Sequence, residues 1–352
     1  MRTSIAVLAA TVLLAAALGG CPAPDDPEGQ GGSGGGGPGG AGGDPFAGWQ
    51  VELSDLDQIV LSAWGTGADD LWAVGGGLGN GPPGIVLHHD GVQWEERDPG
   101  VQETLWWVWG SGSADVWAVG EAGTIVHWDG AAFSTIPPVT TATLFGVWGS
   151  GPTDIWAAGG TPAGPGPDDV LLHYDGMTWS AVELPEPRGV TFYKLWGSGP
   201  GDLWVVGQGG LALHVKDGTY TWYAAPIATT IFTVSGAGDE LWMVGGAPVL
   251  LIHLDRATDS LVQEEPAGFA SMLNGVSVEA SGDLWVVGTG GVKWRREAGT
   301  WIDETRAAPH DNLHAVLALG DGSAIAVGGD FLTPATPGAS RRGVVARFTP
   351  TP

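Results

Sequence analysis

Five of the eight histidines fall in one repeated column, His88, His127, His173, His214 and His253, and the last two repeats carry Arg295 and Arg347 in its place. Imidazoles in register suggest a zinc site or a proton relay. Zinc needs its ligands about 2 Å from one ion. One histidine per repeat leaves neighbours roughly 10 Å apart if the repeats are packed sheets. Arginine in the same column is no ordinary metal ligand. We therefore expect no metal and no cofactor, and read the column as a donor that pairs between repeats with an acidic turn.

A second column is acidic: Asp70, Asp115, Asp154, Asp202, Glu240 and Asp283, replaced by Gly322 in the last repeat. Calcium would need six to eight oxygens converging on one point, and here the acids come one per repeat. Turn carboxylates that accept backbone N–H groups are the expected role.

A third column is chemically mixed. Two residues before a recurrent Trp64, Trp109, Trp148 and Trp196 position, continued as Ser235, Val276 and Val316, stand Ser62, Trp107, Gly146, Lys194, Thr233, Asn274 and His314. Such a mixture does not look like packing, so Trp107, Lys194, Asn274 and His314 are the expected contacts for a ligand at the mouth of a channel. Arg341 and Arg342 are rare positive charges in a long insertion, and make a second candidate surface.

The columns exist because the chain repeats. A Trp-Gly-Ser-Gly-like turn, an acid and an apolar-Trp-apolar-apolar-Gly run recur, with the second Trp at 72, 117, 156, 204, 242 and 285 and Ile325 in the seventh copy. Spacings near 40 residues match a four-stranded propeller blade and exceed a leucine-rich repeat. Within each copy strand a ends in the first Trp, strand b carries the second, and strand c carries the His. A hairpin then leads to strand d, marked by Asp90-Gly91, Asp129-Gly130, Asp175-Gly176 and Asp217-Gly218. The second Trp column is expected to fill the space between blades.

The seventh copy has no strand d. Trp49-Gln50-Val51-Glu52-Leu53 matches the strand d sequence Trp179-Ser180-Ala181-Val182-Glu183-Leu184, so the N-terminal strand is predicted to complete the last blade. Closure of that kind leaves no open sheet edge. The expected fold is all-β, a seven-bladed β-propeller over 49–348 with a short tail at 349–352.

Composition narrows the function. A net charge of -26 repels phosphate backbones, so nucleic acid is not an expected partner. One cysteine excludes a disulfide framework. Residues 1–20 read as a signal peptide, with Arg2, an apolar run from Ile5 to Leu18, and Gly19-Gly20. Residues 21–48 follow as a Gly- and Pro-rich tether with a typical reach of roughly 29 Å.

Leu18-Gly19-Gly20-Cys21 resembles the lipobox of bacterial lipoproteins. The resemblance implies that Cys21 is acylated and anchors the chain in a lipid bilayer; Pro22, where an Asp would favour the inner membrane, points to the outer membrane or cell surface. The repeat resembles the Trp-Gly-Ser-Gly propellers of secreted bacterial proteins, and more distantly kelch and sialidase-type propellers. That group carries architecture rather than an assigned activity.

Loop lengths point to one binding face. The a–b and c–d turns are short and acidic, whereas the b–c connections are long at 76–84, 160–169 and 329–343. Variable loops on a rigid scaffold carry recognition. No Gly-x-Ser-x-Gly elbow, phosphate loop or sialidase-like set of arginines is visible. The expectation is a monomeric, non-enzymatic propeller of the bacterial cell envelope that binds a protein or glycan. A propeller glycoside hydrolase or polysaccharide lyase, and an envelope assembly factor, are the alternatives.

Overall fold

In the computed structural model each repeat becomes one four-stranded antiparallel sheet, and seven such sheets form a ring. The structure describes residues 48–350, apart from 80, 163–164, 267, 269–270 and 334–338. The expected signal peptide, Cys21 and the expected tether lie outside the described residues. The innermost strands, a, are Ile59–Gly67, Leu105–Gly112, Thr143–Gly151, Phe192–Gly199, Ile231–Ala237, Leu273–Val278 and Leu313–Ala318. Blade 7 is completed by Trp49–Leu56, paired antiparallel with Gly343–Phe348. The N-terminal strand is therefore strand d of the last blade, and Trp49 packs edge-on against Trp285 of blade 6, with ring centroids 5.4 Å apart.

The core lies between blades. Trp72, Trp204 and Trp242 of strand b are fully buried, and Trp117 and Trp285 nearly so. Trp72 meets Trp128 and Phe133 of blade 2, and Trp117 meets Tyr174 and Trp179 of blade 3. Ring-on-ring contacts of this kind add about 0.5–1.5 kcal/mol beyond burial.

The first Trp of each repeat explains the glycine that follows it. A Cβ on Gly110 would lie 2.7 Å from the Trp64 ring, one on Gly149 2.6 Å from Trp109, and one on Gly197 2.4 Å from Trp148. Each indole thus seats on the glycine of the next blade. In blades 5 and 6 the position is Ser235 and Ser277, whose hydroxyls instead accept from Val278 and Ala318 N–H of the following blade.

Strand pairing revises the register of the last two copies. Ser277 and Leu317, rather than Val276 and Val316, stand opposite Trp285 and Ile325. The mixed column is therefore Ser62, Trp107, Gly146, Lys194, Thr233, Gly275 and Ala315. Asn274 and His314 belong one position earlier. The local reason is a bulge: at the second or third residue of every strand a one residue has no partner on strand b. The seven bulged residues are Leu61, Trp106, Phe145, Tyr193, Phe232, Asn274 and His314. Bulges re-aim a side chain and end regular pairing.

Candidate functional site

The histidine column is structural and lies within blades, which corrects the expected pairing between repeats. His88 Nε2 sits 2.9 Å from Asp70 Oδ1 of its own blade, and His127–Asp115, His173–Asp154 and His214–Asp202 repeat this at 2.7–2.8 Å. Each of these imidazoles packs on the strand-b indole beside it, at 3.9–4.2 Å between centroids. Thr66, Ser111 and Ser150 donate to the other carboxylate oxygen. Side chains, not the expected backbone N–H groups, are thus the recorded partners of these carboxylates. Backbone acceptance holds in the column at Asp283, which takes Ala298 N–H at 2.9 Å, and recurs among the hairpin acids, as when Asp90 takes Val92 and Gln93 N–H.

Serine, histidine and aspartate meet here in an order that cannot activate a nucleophile. The carboxylate stands between the other two, and the serine donates to it rather than to the imidazole. Burial would raise the Asp154 pKa, but hydrogen bonds from Ser150, His173 and Trp156 outweigh it and hold the carboxyl below its ordinary value. In blades 6 and 7 Arg295 pairs with Glu304 at 3.0 Å and Arg347 with Glu52 at 2.5 Å, both on the strand d side. Among the described residues no three His, Cys, Asp or Glu side chains are placed to hold a metal ion.

The bulged residues meet at the start of strand a, on the side of the b–c and d–a loops. Their rings form a continuous arc. Trp106–Phe145, Phe145–Tyr193 and Tyr193–Phe232 centroids are 5.0, 5.1 and 5.8 Å apart. His314 closes the other end, 5.9 Å from Trp106 and 5.6 Å from Phe331 of the 329–343 insertion. Phe145 is buried between its neighbours, while Trp106, Tyr193, Phe232, His314 and Phe331 are half-buried.

Two members of this ring are polar, and both turn their donor towards the wall. Asn274 Nδ2 donates to Leu313 O at 2.8 Å. His314 Nδ1 lies 2.5 Å from Leu61 O; since a carbonyl only accepts, Nδ1 carries the proton and Nε2 is a bare acceptor. Burial, with Lys194 nearby, pushes the His314 pKa down to about 3, so the ring is neutral over the physiological range. Burial also drives Tyr193 up to about 12.

The mixed column lies one step further along strand a, inside the ring. Trp107 packs against residues from both the blade 2–3 and the blade 7–1 contacts, and so reaches across the axis. Lys194 Nζ sits 4.0 Å over its ring and donates to Phe145 O. Lys194 is only 4% exposed, and burial lowers its pKa well below the ordinary amine value. Thr233 donates to Asn274 O across the blade 5–6 boundary, and Ser62 accepts from Val108 N–H across the 1–2 boundary. Lys194 and Trp107 thus form a floor beneath the mouth, and Asn274 and His314 form part of its rim. The aromatic column was legible as four successive rings at 106, 145, 193 and 232, one residue before the column chosen from the sequence.

Arg341 and Arg342 part company. Arg341 is buried and ties the insertion to blade 1, donating to Gly77 O at 3.0 Å and to Thr333 O at 2.8 Å. Arg342 is exposed at a φ of 49°, 3.4 Å from Asp311. It borders a shallow 590 Å³ depression with Pro309, His310 and Val344 that is separate from the channel mouth.

No family model matches this chain, and no curated protein matches it. Similar solved structures share the fold at low identity. A catalytically inactive H270A virginiamycin B lyase from Staphylococcus aureus with quinupristin is 13% identical, with a TM-score of 0.68 over 86% of this chain and 99% of the other. A structure of YCF48 bound to D1 peptide is 16% identical, with a TM-score of 0.64 over 86% and 97%. The WD40 propeller domain of Doa1 is 13% identical, with a TM-score of 0.62 over 86% and 97%.

Proposed function

We propose that this chain is a lipid-anchored bacterial envelope protein whose propeller is a non-enzymatic receptor, taking a protein segment at the loop-side mouth of its channel. The observation that carries this reading is the ring of seven bulged residues gathered at one end of the inner strands, above Trp107 and Lys194. The bulged ring and the column beneath it contain no carboxylate, so the wall does not supply the acid pair a glycosidase uses. His314 supplies one acceptor whose pKa near 3 leaves little drive for proton abstraction at neutral pH.

Orientation supports the same reading. Strand d of blade 7 begins at Trp49 opposite Phe348, on the side of the a–b and c–d turns. A tether from acylated Cys21 would leave from that side, and the loop face would look away from the bilayer. Propeller neighbours have varied roles; the YCF48 structure holds a peptide, which favours a protein partner over a glycan.

In-cell photocrosslinking tests the face. A benzoylphenylalanine at Leu332, in the insertion beside the mouth, should give a discrete adduct, and one at the exposed turn residue Val92 should not. Adducts from Val92 alone, or from neither site, would overturn the face assignment. Loss of membrane association in Cys21→Ser checks the anchor separately.

A further inference from the structure

We propose that the channel mouth recognises a cationic side chain, the ammonium of lysine or the guanidinium of arginine, on an apolar-flanked peptide segment. This rests on the reading of the loop face as the binding face, and adds the chemistry of what binds there.

Three observations converge. First, the rim presents two free acceptors. Asn274 and His314 sit at equivalent positions of adjacent blades, and each gives one N–H to a backbone carbonyl of the wall. Asn274 Oδ1 and His314 Nε2 have no recorded partner among the described residues. Two free acceptors suit a ligand that donates, and an ammonium or guanidinium carries donors only. His314 stays neutral, so it neither repels a cation nor becomes a donor in the physiological range.

Second, the rest of the rim is aromatic. Trp106, Tyr193, Phe232 and Phe331 flank these acceptors in one arc, and ring faces attract cations through their quadrupole. The same rings provide apolar surface for residues on either side of the cation. A sugar would meet the rings too. The unpartnered Trp106 Nε1–H would serve a sugar hydroxyl, so the titration below includes a glycan.

Third, charge complementarity favours the cation. The chain carries a net charge of -26. Asp168, beside Tyr193, is hydrogen-bonded to Thr191 and to Thr161 N–H, and Asp330 adjoins Phe331. The nearest bases are all engaged: Lys194 is buried under Trp107 with its proton affinity lowered, Arg341 is tied to carbonyls, and Arg342 faces Asp311. An anionic ligand would meet acids and acceptors.

Calorimetry on the soluble 46–352 body at 0.15 M salt tests this with a blocked Gly-Leu-Lys-Leu-Lys-Gly peptide, its lysine-acetylated form, a Glu-for-Lys form, and chitopentaose. The charged peptide should bind, and acetylation should weaken it about tenfold or more, as expected when desolvated cation–π and charge-assisted contacts are lost. Asn274→Leu and, separately, Trp106→Phe should weaken the charged peptide several-fold while leaving the acetylated one unchanged. The peptide comparison needs no variant, so it stands if either variant folds poorly. Equal binding of the acetylated peptide would overturn the cation proposal and leave the loop-face reading intact. Binding of chitopentaose that is sensitive to Trp106→Phe would overturn it in favour of a glycan. Charged-peptide binding that ignores both variants and vanishes at 0.5 M salt would assign it to the acidic turn face and overturn the site, as would absence of binding.

Discussion

The indole of Trp64 rests on the α-carbon of Gly110 in the next blade, so closely that a methyl group there would lie 2.7 Å from two ring carbons. This contact explains why the repeat reads Trp-Gly: the tryptophan fills one blade boundary and the glycine vacates the next. Gly110→Ala should therefore destabilise the fold by about 1–3 kcal/mol, the usual cost of overpacking. The carbonyl of Asp115 is equally close, so Trp64→Leu should relieve only part of that loss. A double-mutant cycle by denaturant unfolding checks this; additive single effects would mean that the two residues do not share the contact.

Asp154 makes the acid limb of stability testable. Its carboxylate accepts from Ser150, His173 and Trp156, and its folded pKa lies below the unfolded value of 3.8. A depressed carboxyl stabilises the fold above the unfolded pKa, and that contribution is lost as pH falls through the folded pKa. Asp154→Asn should cost about 1–2 kcal/mol near neutral pH, as expected for charge-assisted hydrogen bonds at a partly exposed site. The difference from the parent should shrink below pH 3.8. Urea melts at pH 7, 4 and 3 measure it, and a constant difference across that range would contradict the linkage.

The architecture was legible because its signals are local and repeated. Asp-Gly hairpins, an apolar strand b and the match between residues 49–53 and 179–184 each depend on a few neighbours, and the repetition of the unit reinforces them. The site was only partly legible because a bulge shifts register by one residue, and a one-residue shift sends a side chain elsewhere. Trp107 and Lys194 keep the register read from the sequence, while Asn274 and His314 stand one position earlier than the column they were read into through Val276 and Val316. Pairing partners were not legible either. His88 and Asp70 are 18 residues apart, and nothing in their spacing distinguishes a partner within the blade from one across its boundary.

Lys293 gives a slope of the same sign as Asp154 at alkaline pH, where its charged form is the one disfavoured by folding. It is fully buried, and its amine donates to Gly291 O and Pro309 O at 2.8 Å, pinning blade 6 to the approach of blade 7. Burial lowers its pKa from 10.5 to about 8, against the pull of Glu304 and Asp303. Between those values the unfolded chain binds more protons than the folded one, so this group makes stability rise with pH from about 8 to 10.5. The slope should approach at most 1.4 kcal/mol per pH unit, roughly one proton's worth. Lys293→Met removes the term, so the gap between parent and variant should widen with pH in that window. Parallel unfolding titrations at pH 7.5 and 10 read it directly; a gap that stays constant or narrows would exclude the assignment.

Ring closure rests on one strand. Trp49–Leu56 pairs with Gly343–Phe348, and Trp49 lies 7% exposed between Trp285 and Phe348. Removing residues 46–53 would expose the outer edge of blade 7 and uncover one side of a blade boundary. Two losses add: the strand's ladder hydrogen bonds, and an aromatic residue whose truncation alone costs about 3–5 kcal/mol. The deletion should lower the thermal midpoint by well over 5 °C and broaden the transition, since an opened ring no longer couples its blades into one cooperative unit. A synthetic peptide spanning residues 46–56, added in trans at increasing concentration, should restore both midpoint and sharpness by mass action. A deletion that melts like the parent, or one that a scrambled peptide rescues equally well, would show that the ring closes without this strand.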